Sequence, residues 1–192
     1  MANVEQTRPA TRVSAGLTPA SPPRPDPLVG AAGLFTAAVL IHGADHARRG
    51  FAATGADVFW LGTSAILLEV AIVVLACQRH RLAPLVAAGS GFTLAFGYLF
   101  VHMLPARPWL SDSFTSATDV SPLSWFAASL EIAAALIIAV VGTVELHRRG
   151  GIASAKQPWP AQRRLAVALR HPIVITMIAG NVVLIVISAT QF

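Results

Sequence analysis

The sequence predicts an all-α integral membrane protein: a four-helix transmembrane bundle followed by a fifth, C-terminal transmembrane helix. Three observations predict it. Hydrophobic residues make up 55% of the 192 and charged residues only 12%, a balance that calls for an apolar solvent around the fold. The mean hydropathy is accordingly positive, at +0.64. The apolar residues also collect into five runs, each near the ~20 residues that a helix needs to span about 30 Å of hydrocarbon.

The elements follow in order. Residues 1–27 are rich in Pro, Ser and Thr with scattered charges, too little apolar surface to offset the entropy of ordering, and read as a disordered cytoplasmic tail. The first run, Leu28 to Ala47, competes with a signal peptide because its apolar core before His42 is short. The long polar region ahead of it and the lack of a well-placed Ala-x-Ala site favour a retained span. The second run is Val58 to Cys77, with Asp57 expected to cap it. The third runs from Pro84 to Leu104, opened by its proline. The fourth, Pro122 to Leu146, has Ser121 as its expected cap. These four complete a bundle over residues 28–146. A basic cytoplasmic loop is expected at 147–171, with Arg163 to Arg170 as a short interfacial helix. The last run, Pro172 to Thr190 within the segment 172–192, is interrupted by Asn181, which leaves a re-entrant path open.

Charge sets the orientation. The net charge of +5 resides in short clusters between apolar runs and not along one polar face, which argues against a nucleic-acid binder and for topology signals. Of the fourteen Lys and Arg, eleven fall in the tail, near Arg79 and Arg81, or between His147 and Arg170; only Arg48, Arg49 and Arg107 fall on the other side. The amino terminus is therefore expected in the cytoplasm and the carboxyl terminus outside the plasma membrane. Trp60, Trp109 and Trp125 then form an outer aromatic belt. The lipid bilayer is the expected partner, and a further membrane subunit is left open.

Ionisable groups within a span are costly, by about 2.5 to 3.5 kcal/mol for the acids, so each requires a reason. They are His42, Asp45 and His46 on the first helix, Glu69 on the second, His102 on the third and Glu131 on the fourth. The spacing of His42, Asp45 and His46 places all three on one helix face, a recognised arrangement for metal ligands; the plain alternative pairs Asp45 with Arg48 or Arg49. Depth extends the group. At 1.5 Å per residue, His42 and His102 lie roughly 7 and 4 Å below the outer boundary, and Glu69 and Glu131 roughly 16 and 13 Å below it. Side chains lean toward the amino end of their own helix, which narrows that gap. Small residues share the faces of these groups, Ala127, Ala128, Ala134 and Ala135 with Glu131, and Gly91 and Ala95 with Tyr98 and His102, so the groups are expected to point into the bundle.

Three readings of the cluster stand. The working one is an outward-facing site where His42, His46 and His102 bind a transition metal ion, copper, zinc or iron, with Asp45, Glu69 or Glu131 as ligands or supports, in a metal-handling or redox-accessory role more than as a complete enzyme. The second is a non-covalent b-type haem between a first-helix histidine and His102. The third is a structural subunit or scaffold held by its polar cluster without a cofactor. A proton or ion pathway through Glu69 and Glu131 is a further alternative. The loop from Pro105 to Ser121, with Asp112 and Asp119, is expected to be solvated more than to act as a lid. The single cysteine, Cys77, excludes an intramolecular disulfide, and Walker, Gly-x-Gly-x-x-Gly, Gly-x-Ser-x-Gly and His-Glu-x-x-His signatures are absent.

Overall fold

In the computed structural model, residues 26–118, 120–156 and 169–190 are described, and among them all regular structure is helical. The expected tail up to residue 25, the interfacial helix at 163–168 and Asp119 lie outside the described residues.

Helix α1, Pro27–Arg49, starts where the Asp26 side chain accepts the Leu28 amide at 3.0 Å, with Pro27 in the first turn where no donor is missed. Gly50, at φ 80°, ends it, a conformation that glycine adopts without steric cost. A single turn, α2 (Phe51–Thr54), leads into α3, Ala56–Cys77. Helix α4, Ala83–Tyr98, runs on as a π-helical turn over Leu99–Met103. Helix α5, Pro122–Arg148, is capped as expected, with the Ser121 hydroxyl accepting the Ser124 amide at 3.2 Å. A 3-10 turn, Gly151–Lys156, follows, and α6 spans Pro172–Ala189. Asp57 does not cap α3: Gly55 holds that position, and the Asp57 carboxylate instead accepts the amide of Leu110. The loop amide offers the carboxylate a partner from outside its own helix, so Asp57 anchors the loop.

Among the described residues, four helical stretches are long and apolar enough to cross a membrane: Pro27–Arg49, Ala56–Cys77, Ala83–Met103 and Pro122–Arg148. Helix α6 is shorter, with an apolar stretch over Pro172–Ser188. It is nevertheless part of the bundle, packed against α1 and α3 with Val174 and Met177 fully buried. The helices close a ring in the order α1, α5, α4, α3, α6, and α1 also touches α3 across it. Lipid tails are as apolar as leucine, so close van der Waals packing and not the hydrophobic effect holds such helices together. The α4–α5 contact shows how: a Cβ built on Gly142 would lie 2.8 Å from the Pro84 carbonyl oxygen, and one on Gly91 would lie 2.9 Å from the Ala139 Cβ. Asn181, which interrupts the last apolar run, is accommodated because its side-chain amide donates back to the Met177 carbonyl at 2.9 Å. Large apolar side chains such as Leu67, Phe96 and Val182 cover the outside.

Candidate metal centre

The site lies where α1 ends and the π turn of α4 begins. His42 and His46 share one face of α1, four residues apart. His102 comes from the π turn, a wide turn of a kind frequent at functional sites. The third span was expected to stay α-helical to Leu104; the loop overrides this by bonding the carbonyls that end the helix, with the Asp112 amide donating to Val101 and the Phe114 amide to His102.

The three imidazoles meet. Ring centroids of His42 and His102 are 4.8 Å apart, those of His42 and His46 4.5 Å, and those of His46 and His102 5.5 Å. One ligand nitrogen from each lies within 4.8 Å of the others, so the group can hold a metal ion. His42 and His102 are buried, and His46 is partly exposed.

Two of the imidazoles are hydrogen-bonded at Nδ1, while His42 Nδ1 has no hydrogen-bond partner among the described residues. His102 Nδ1 donates to the Asp112 carbonyl at 3.2 Å, leaving Nε2 for the cluster. His46 Nδ1 faces Thr54 Oγ1 at 3.1 Å and an Arg49 nitrogen at 3.2 Å. A guanidinium only donates, so His46 Nδ1 accepts and its proton resides on Nε2, 2.7 Å from His42 Nε2. His42 then carries its own proton on Nδ1, 3.4 Å from Glu131 Oε2. His102, with Nε2 inward and Nδ1 held by a carbonyl oxygen, is oriented as metal-bound histidines are.

The carboxylates divide into two groups. Asp45 accepts from Arg48 at 2.7 Å and from Arg49 Nε at 3.0 Å, the pairing that the plain alternative described. Arg48 continues to the hydroxyls of Ser121 and Ser124, which joins α1 to the start of α5. Glu131 adjoins His42, whereas Glu69 lies one layer deeper and accepts the Tyr98 hydroxyl.

Sequence reasoning missed Asp112 as a site residue. The loop from Pro105 to Ser121 is folded over the cluster and not simply solvated: Asp112, Ser113 and Phe114 are buried. Arg49 clasps the Asp112 carboxylate in a two-pronged pair at 2.9 and 2.6 Å, and the Phe114 ring lies 4.8 Å from that of His102. The available signal was an acid in the loop on the same side as two arginines, which have to be neutralised wherever they are drawn into the fold. Trp60, Trp109 and Trp125 are all partly or largely exposed near this end of the bundle.

No protein-family model, curated protein or solved structure matches this chain. Fold and site together define a class: an all-helical, multi-pass membrane protein by helix composition, with a buried histidine triad suited to a metal ion.

Proposed function

We propose that the protein holds a transition metal ion, copper, zinc or iron, on His42, His46 and His102 at the outward end of its bundle, in a metal-handling or redox-accessory role at the plasma membrane. The observation that carries this reading is the convergence of three imidazole nitrogens within 4.8 Å, with His46 and His102 hydrogen-bonded at Nδ1. Imidazole suits zinc, copper and iron alike, and three protein ligands leave a fourth position open for exchange. For His46 to bind through Nε2 its proton has to reside on Nδ1, where the Thr54 hydroxyl accepts it at 3.1 Å. Glu131 Oε2 lies 3.4 Å from His42 Nδ1 as a charge partner, while Asp45 and Asp112 neutralise the arginines and fix the ends of the cluster. A bare ion is favoured over b-type haem because rings 4.8 Å apart leave no gap for a macrocycle between them.

Elemental analysis of protein purified in detergent and loaded with copper, zinc or iron tests this. About one equivalent of one metal is expected in the native chain, with loss in a His42→Ala, His102→Ala double variant. Protein that stays metal-free under all three loadings would leave the polar cluster with a structural role only.

A further inference from the structure

Beside the histidines lies a cavity of about 340 Å³, walled by α1, α3, α4 and α6. That volume falls within the range of small-molecule sites, about 300 to 1,000 Å³. Its polar lining includes the three histidines, Glu131 and the Glu69–Tyr98 pair, and most of its exposed wall is apolar. Glu69 is only 3% exposed; its Oε1 accepts the Tyr98 hydroxyl, while Oε2 has no hydrogen-bond partner among the described residues. An unpaired buried polar atom is costly, by about 1 to 3 kcal/mol, so this oxygen calls for an occupant that can pair with it.

The cavity is partly open. Leu61 and Leu68, on its α3 wall, are 45% and 42% exposed, and α3 is a helix apolar enough to cross a membrane. An opening beside these leucines faces lipid where α3 crosses a membrane. Gly62 and Gly97 keep the space clear: both line it, and a Cβ built on either meets nothing within 4 Å.

We propose that this cavity binds a lipid-phase molecule with a hydroxyl head on an apolar body. The hydroxyl pairs with Glu69 Oε2, and the body extends along α3 toward the opening. A hydroxyl fits the carboxyl group whether that group carries a proton or not, since it both donates and accepts. This inference does not rest on the bound metal.

The test uses the full chain in phospholipid vesicles with two photoactivatable probes, a long-chain alcohol bearing a diazirine and its methyl ether, and maps labelled peptides by mass spectrometry. The alcohol is expected to label the Leu61 to Leu68 stretch roughly tenfold more than the ether, the effect of about one buried hydrogen bond. Gly62→Leu and Gly97→Leu fill the space from two different helices, and each is expected to reduce alcohol labelling to background with helical content and metal content unchanged. Equal labelling by the ether would show that no hydrogen bond donated by the hydroxyl selects the occupant and would overturn the proposal. So would labelling that survives both filled variants. A protein that labels as expected yet carries no metal would overturn the metal reading and leave this one standing.

Discussion

Arg49 is the residue on which the polar end of the bundle turns. Its guanidinium touches Asp45, Asp112 and His46 at once and lies 5.1 Å from the centre of the Phe114 ring. Five donors in a fixed plane allow this; an ammonium group does not reproduce it. Arg49→Lys is therefore expected to release the loop over the cluster and to weaken metal binding, read by metal titration and by faster proteolysis between Pro105 and Ser121. Asp112→Ala removes the carboxylate that clasps Arg49 and lies 3.5 Å from His102 Nδ1, and keeps the backbone carbonyl that holds His102. A loss of about 10- to 100-fold in metal affinity is expected, the usual cost of losing an outer partner; unchanged affinity would show that the loop plays no part in the site. Much of this level was legible in the sequence. His42, His46, His102 and Glu131 were brought together by helical spacing and estimated depth alone, because both are properties of the span and not of the loops. Asp112 was not, because the path of a 17-residue connection is set by tertiary bonds such as the Leu110 amide to Asp57, which no periodicity encodes.

Among the elements, α4 and α5 pack backbone to backbone at two glycines. A methyl group at Gly142 meets backbone atoms of Ala88 and Pro84 at 2.8 Å, and one at Gly91 meets the Ala135 carbonyl oxygen at 3.0 Å, so neither can be relieved by a rotamer change. Gly142→Ala and Gly91→Ala are each expected to destabilise the fold by about 1 to 3 kcal/mol, the usual cost of overpacking. Gly89→Ala, which meets nothing within 4 Å, is expected to be neutral or slightly stabilising. Reversible unfolding in mixed micelles ranks the three, and a Gly89→Ala variant as unstable as Gly142→Ala would contradict the packing. The spans themselves were legible to within a few residues, since a long apolar run has few folds open to it in lipid. The π turn at Leu99–Met103 was not, because hydropathy is blind to whether the last turn closes on four residues or five.

For the whole molecule, sequence indicated five spans but not how they pack. Helix α6 looked like an appendage and instead completes the ring between α1 and α3, where Gly180 takes in Leu40 and Gly43 takes in Leu184. That placement matters to function, since α6 supplies one wall of the cavity beside the histidines. The distribution of Lys and Arg predicts that a periplasm-dependent phosphatase fused after Phe192 is active; activity only of a cytoplasmic reporter at that point would reverse the orientation and put the site on the inner side. The central claim, a metal held by three imidazoles, is tested most directly by X-ray absorption at the edge of the metal bound to the purified chain. Expected are nitrogen donors at about 2.0 to 2.1 Å with ring scattering from three imidazoles, falling to two in His102→Ala. A spectrum without imidazole scattering, or one unchanged when His42, His46 and His102 are all replaced by alanine, would contradict it.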